Sequence, residues 1–144
     1  MIRRATKKDA IYVAEMAEMI WESHSVEELI REFETEIDNE ECVVYIYCVD
    51  TMPVGFAQCG LRHDYVEGTD SSLVGYLEGI FIREEYRKRG YARALLAECE
   101  KWAKEKGCSE FASDCELNND ESFHFHMNVG FAEANRIICF TKEI

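Results

Sequence analysis

The chain has 144 residues, 47% of them apolar, and a formal net charge of −13. That length and apolar content predict a single packed domain over residues 1–144 and exclude a disordered tail. The negative charge argues against nucleic acid or an anionic membrane as partner; excess acid commonly serves solubility, and it also suits a cationic ligand.

Ile2–Ala5 reads as a short first strand. Thr6 and Asp9 form a variant capping box before Ala10, Val13, Ala14, Ala17, Ile20 and Trp21, which recur at helical spacing. Trp21 at the end of that helix is either a core residue or one facing a ligand. Ser25 and Glu28 make a second capping box, ahead of a stripe of Val26, Leu29, Ile30, Phe33 and Ile37. Cys42–Val49 and Val54–Leu61 predict a hairpin about a turn that holds the only proline, Pro53. The polar stretch from Arg62 to Ser72 is longer than a tight turn needs, as functional loops often are. A strand from Val74 to Ile82 follows.

The stretch Gly79–Lys106 then runs from apolar strand through polar turn into a long amphipathic helix. Ala92, Leu95, Leu96, Cys99, Trp102 and Ala103 form its inner face, and Gly107 its C-terminal cap. The turn carries Arg87, Arg89, Gly90 and the small Ala92 just where a helix begins. Basic side chains, a glycine and unpaired N–H groups make a cradle for a pyrophosphate. Cys108–Cys115 predicts another strand, Asn118-Asn119-Asp120 turns into a shorter helix bearing Phe123, His126 and Met127, Gly130-Phe131 ends it, and Arg136–Lys142 predicts a last strand. The result is a layered α/β (α+β) domain with a mixed sheet.

Seven cysteines, an odd number without a Cys-x-x-Cys pair, predict buried free thiols rather than disulfides or a metal site. With no bilayer-length apolar run and no signal-peptide core in Met1–Asp9, a cytoplasmic protein is expected.

Two acids interrupt apolar strands. Glu78 lies within Tyr76-Leu77-Glu78-Gly79-Ile80-Phe81-Ile82, with Tyr76, Ile80 and Ile82 as its alternation partners. Asp114 ends Phe111-Ala112-Ser113. A buried carboxylate needs a cation, donors or a wet cleft. Both are therefore either structural acids, paired with Arg62, Arg136 or backbone donors, or members of a catalytic or substrate-binding cleft.

Arg87-Lys88-Arg89-Gly90-Tyr91-Ala92 resembles the acetyl-CoA signature of the GCN5-related N-acetyltransferases (GNAT), and Asn119 through Phe131 is similar to that family's second motif. The resemblance implies a GNAT fold of six to seven strands and about four helices. Residues Arg62–Ser72, Leu77–Phe81 and Ala112–Asp114, with Trp21 and Gly130–Glu133, are similar to the aminoglycoside 6′-N-acetyltransferases within the family. That implies acetyl transfer from acetyl-CoA, without a metal, to a cationic aminoglycoside.

The resemblance further implies roles. Backbone N–H groups of Arg89 through Ala94, including those of Gly90, Tyr91, Ala92 and Arg93, hold the CoA pyrophosphate, with Arg87, Lys88 and Arg89 adding charge. Ile80, Phe81 and Ile82 pair with the pantetheine arm, and Asn119 reaches toward the cofactor. Glu78 is the first choice of base and Asp114 the second choice or the ammonium anchor. Trp21, Tyr65 and Glu133 contact the acceptor. His126 stands where many members have a tyrosine that protonates the leaving thiolate, and Glu84 replaces the usual proline. A homodimer through the last strand is a family expectation. A polyamine, another amino sugar or a protein amine as acceptor, or a CoA-binding module without turnover, are the alternatives.

Overall fold

The computed structural model describes all residues, Met1–Ile144. The elements are β1 (Ile2–Arg4), α1 (Ala10–Ala17), α2 (Val26–Ile37), β2 (Cys42–Val49), β3 (Met52–Arg62), β4 (Val74–Ile82), α3 (Tyr91–Glu105), β5 (Phe111–Ser113) and α4 (Asp120–Asn128). The strands form one mixed sheet in the order β1-β2-β3-β4-β5. It is antiparallel through β4, and β5 lies parallel to β4. No helix is long and apolar enough to cross a membrane.

Local chemistry sets the helix ends. Asp9 caps a single 3-10 turn ahead of α1: its carboxylate accepts from Thr6 N at 2.7 Å and from both Arg3 Nη1 and Nη2 at 2.8 Å. Only 6% of Asp9 is exposed, and Arg3 holds its carboxyl well below the usual carboxylate range. In the second capping box Glu28 N donates to Ser25 Oγ and Ser25 N to the Glu28 carboxylate, at 3.2 and 3.3 Å. Gly107, at φ 96°, closes α3 with Gly107 N to Lys104 O and Cys108 N to Ala103 O, both 3.0 Å. That pair of bonds is a Schellman motif, which requires the left-handed residue.

The sheet separates two apolar layers. Leu29 and Phe33 of α2 join Val13, Ala14 and Ala17 of α1 against Val44, Ile46 and Phe56 on one face. Leu95, Leu96, Cys99, Trp102 and Ala103 of α3 pack on Val43, Tyr45, Ala57, Cys59 and Leu77 on the other, with Phe125, Val129 and Phe131 alongside.

Four expectations are corrected. Arg136–Lys142 is no strand: the chain after Phe131 has no regular structure, and Ile137, Ile138 and Phe140 are exposed. The sheet therefore has five strands, not six or seven. Cys108–Cys115 shortens to Phe111–Ser113, since only those residues pair with Gly75–Leu77. α1 ends at Ala17, and Trp21 lies beyond it, held by Trp21 N to Ala17 O at 2.9 Å. All seven cysteines are free, but Cys115 and Cys139 are exposed because the segments that carry them lie outside the packed layers.

Candidate active site

The loop before α3 has the backbone of an anion cradle. Lys88 (φ 61°) and Gly90 (φ 81°) are both left-handed, a curl of the kind that forms anion-binding concavities. A Cβ built on Gly90 meets nothing within 4 Å, so the space in front of the helix is open. The first α3 bond runs from Ala94 N to Gly90 O at 3.0 Å. Ala94 is thus already spent, and the open N–H groups at the helix start are those of Tyr91, Ala92 and Arg93. The basic side chains are partly engaged. Arg87 Nε donates to Ile82 O at 2.8 Å, Arg89 Nη2 to Glu85 O at 3.1 Å, and Arg93 Nη2 to Asn128 O at 2.9 Å. They brace the loop against β4, the preceding turn and α4 as well as adding charge. The open space, free N–H groups and cationic rim fit the pyrophosphate of CoA.

Beside this loop the sheet forks. β5 pairs with β4 only through Gly75, Tyr76 and Leu77. From Glu78 to Ile82, β4 has β3 on one side and no strand on the other. An extended ligand can complete that edge by main-chain hydrogen bonds.

His126 of α4 stands at the fork. Its Nδ1 lies 2.6 Å from Ser122 O, which can only accept, so the neutral ring carries its proton there. Nε2 then accepts from Ser113 Oγ at 2.8 Å. Neutral His126 has no proton to give toward the fork; only its imidazolium form can give one, directly or through the Ser113 hydroxyl. A second Schellman motif, Phe131 N to His126 O at 3.0 Å about Gly130 (φ 101°), sets Phe131 against the His126 ring at 5.1 Å. Asn119 caps α4 by accepting from Ser122 N through Oδ1 at 3.1 Å, leaving its amide NH2 for a ligand.

The two acids sit differently from the expectation of buried carboxylates. Between the pairs Gln58↔Gly79 and Cys59↔Leu77 the β3–β4 register slips by one residue, and Glu78 is the extra one. A bulge re-aims the side chain it carries. Glu78 is therefore exposed and out of phase with Ile80 and Ile82, which pack toward α3. Its Oε1 lies 3.8 Å from a Cβ built on Gly60, over β3. Its neighbour Gly79 allows the Trp21 ring onto the strand: an added Cβ would come within 2.7 Å of Cη2.

Glu78 is chelated by Arg62, with Nη2 at 2.9 and 3.0 Å from its two oxygens and Nε at 3.2 Å from one. Asp114, exposed just past β5, accepts a hydrogen bond from the Tyr76 hydroxyl. The Arg62 guanidinium lies 3.6 Å over the Tyr76 ring, linking the two carboxylates through one cation and one ring. Burial first, then the bond to Asp114, pushes the Tyr76 hydroxyl up.

Tyr65 and Glu133 are less committed. Tyr65 is 79% exposed and donates to Glu67 at 2.5 Å, and Glu67 accepts from Asn135 at 2.9 Å. Glu133 pairs with Arg136. Neither is bonded to Glu78 or Asp114.

Glu36, Gln58 and Tyr76 escape sequence reasoning. Glu36 on α2 accepts from buried Gln58 Nε2, and burial, with Glu32 and Glu78 nearby, raises its pKa to about 7. The available signal was its spacing: Glu36 stands three residues after core Phe33 and one before Ile37, on the edge of the apolar stripe.

The chain is similar to known proteins in both sequence and fold. The model of the acetyltransferase (GNAT) family matches residues 13–131. An aminoglycoside N(6′)-acetyltransferase type 1 from Salmonella enteritidis is 35% identical over 98% of this chain and 97% of its own. The aminoglycoside N-acetyltransferase AAC(6′)-Iy in complex with CoA superposes with a TM-score of 0.96 at 34% identity, over 100% of this chain and 95% of that one. The same enzyme with the bisubstrate analogue CoA-S-monomethyl-acetylneamine gives 0.95 at 34% identity, over 100% and 98%. The chain belongs to the acetyltransferase (GNAT) family and, within it, to the aminoglycoside N(6′)-acetyltransferases.

Proposed function

We propose that the protein moves the acetyl group of acetyl-CoA to the 6′-amine of aminoglycosides, by direct attack with both substrates bound, and so confers resistance to them. One observation carries this reading: β4 offers an open backbone edge and, at its bulge, a solvent-facing carboxylate. A thioester on the edge and an amine at Glu78 meet on one strand. Residues 1–144 act as one acetyltransferase domain.

The N–H groups of Arg89, Gly90, Tyr91, Ala92 and Arg93 bind the pyrophosphate, helped by the charge of Arg87 and Lys88. Ile80-Phe81-Ile82 pairs with the pantetheine arm, and an N–H of that strand donates to the thioester oxygen as negative charge grows on it. Asn119 reaches the cofactor through its free amide NH2. Glu78 takes a proton from the acceptor ammonium through a water, and Asp114 anchors the ammonium or serves in its place. The freed nitrogen bonds to the acetyl carbon and gives its second proton to water, the carbon–sulfur bond breaks, and its electron pair leaves on sulfur. A thiolate is a fair leaving group, with a thiol pKa of about 8.5; His126 imidazolium or solvent supplies its proton. Trp21 and Tyr65 pack on the sugar rings, and Glu133 takes a further ammonium. No step calls for a metal.

Two wider features belong to the same proposal. The chain works as a homodimer, in which the exposed apolar arm Ile137-Ile138-Cys139-Phe140 pairs with a second copy. It works in the cytoplasm, in keeping with seven free thiols.

Glu78→Gln and Asp114→Asn test the site. Both are expected to cut turnover at least about tenfold, with acetyl-CoA affinity within about twofold of the parent by calorimetry. Parent-like turnover in both variants would remove the carboxylates from the mechanism. Molar mass by light scattering tests the dimer, and a monomer at micromolar concentration would refute it.

A further inference from the structure

Glu78 faces a single cation, and that cation belongs to the protein. Arg62 holds both of its carboxylate oxygens in a fork at 2.9–3.2 Å. The same guanidinium covers the Tyr76 ring at 3.6 Å, and the Tyr76 hydroxyl is bonded to Asp114. One positive group therefore sits on Glu78, where an acceptor ammonium would bind, with the Tyr76 ring between it and Asp114. Arg136 is engaged with Glu133, and His63 with Glu41 at 2.7 Å, so neither stands in for Arg62 there.

We infer that Arg62 is a resident stand-in for the acceptor ammonium and sets the charge an acceptor must carry. The inference rests on the reading that Glu78 and Asp114 receive the acceptor amine. While Arg62 grips Glu78, its charge lies against both oxygens and weakens their pull on an ammonium or its proton. An acceptor that takes the place of Arg62 exchanges one cation for another. The exchange is feasible because the pair is open to solvent, with 43% of the Arg62 side chain and 33% of that of Glu78 exposed; exposed ion pairs are weak, unlike buried ones.

The displaced guanidinium stays close, tethered at the end of β3 opposite Val74. It repels whatever has replaced it. An acceptor with one ammonium gains one contact and keeps that repulsion. A polycation also gains from the other acids on this side of the sheet, Glu32, Glu36 and Glu41, and offsets it. Arg62 thus opposes entry of every cation at Glu78, and only an acceptor with further ammonium groups offsets this at the neighbouring acids, so firm binding needs more than one positive charge.

The test uses Arg62→Gln, which keeps a polar side chain without charge, and Arg62→Lys, which keeps the charge without the fork. Acceptor KM, kcat and acetyl-CoA Kd are measured for the parent and both variants. One acceptor is a polycationic aminoglycoside and the other a single-amine sugar. Far-ultraviolet circular dichroism and Tm establish folding.

In Arg62→Gln, KM for both acceptors is expected to fall about two- to fivefold, the worth of an exposed ion pair. Acetyl-CoA Kd stays unchanged, and Arg62→Lys returns both KM values most of the way to those of the parent. Higher KM for both acceptors in a folded Arg62→Gln would overturn the inference, because Arg62 would then be holding Glu78 in its productive pose. Unchanged KM for both would overturn it as well. If the parent turned over no aminoglycoside, the underlying functional reading would fail instead, and no change in the Arg62 variants could mimic that result.

Discussion

Glu36→Gln isolates the half-buried carboxyl on α2. Burial, reinforced by Glu32 and Glu78, raises the Glu36 pKa from an ordinary 4.5 to about 7. A carboxyl whose folded pKa exceeds its unfolded one is bound more tightly to its proton in the fold. Its ionisation therefore opposes folding as pH rises from about 4.5 through about 7, and the full penalty is present above that window. At about 1.4 kcal/mol per decade the difference from 4.5 to about 7 sets an upper bound of about 3 kcal/mol. Water reaches part of the side chain, so about 1–3 kcal/mol is expected at pH 8.5, and about half of that or less at pH 5.5. Glutamine mimics the neutral acid and can still accept from Gln58 Nε2. Urea unfolding of parent and variant at the two pH values measures the gain; both values stay above the sequence pI of about 4.7. An equal gain at both pH values would point to packing, and a loss at pH 8.5 would refute the burial argument outright.

Three further substitutions separate the parts of the account. Gly90→Ala keeps a left-handed φ of 81° with open space around the new methyl, so the backbone alone resists, by about 1–2 kcal/mol; KM for acetyl-CoA should rise while acceptor KM stays put, and the reverse would misplace the cradle. Gly79→Ala puts a methyl 2.7 Å from Trp21 Cη2, so Trp21 must shift at about 1–3 kcal/mol of overpacking; altered tryptophan fluorescence and a higher acceptor KM are expected, and an unchanged acceptor KM would take Trp21 out of the acceptor site. Asp9→Asn loses the fork to Arg3 and should lower stability by about 1–3 kcal/mol at pH 7. Because the folded Asp9 carboxyl titrates below its unfolded value, this difference is present above about pH 4 and shrinks as pH falls further; a difference that persisted undiminished at pH 3 would contradict the ion-pair origin.

Local signals carried most of the fold. Ser25 and Glu28, the α3 stripe from Ala92 to Ala103, and Gly107 and Gly130 as helix stops each depend on residues within a few positions of one another, and the structure has them where their chemistry demands. What depended on pairing across the sheet was hidden. Glu78 reads as a buried strand residue until the slip between Gln58 and Cys59 turns it outward, and register is a property of two strands together. Tyr76 looks like core, and only the parallel approach of β5 brings Asp114 to its hydroxyl. Ile137-Ile138-Cys139-Phe140 has the apolar content of a strand but pairs with no strand of its own chain. Acidic composition alone does not show where acids gather; the structure brings Glu36 and Glu78 together on one side of β3.

The central claim is that β4 presents an acetyl donor to a 6′-amine. Its most direct measurement is CoA release with two aminoglycosides that differ only in bearing an amine or a hydroxyl at the 6′ position. The acetylated product is then located by NMR. The account predicts rapid CoA release and 6′-N-acetylation of the amine, and no release above background with the hydroxyl. Equal turnover of both, acetylation at another nitrogen, or turnover confined to a linear polyamine would contradict it.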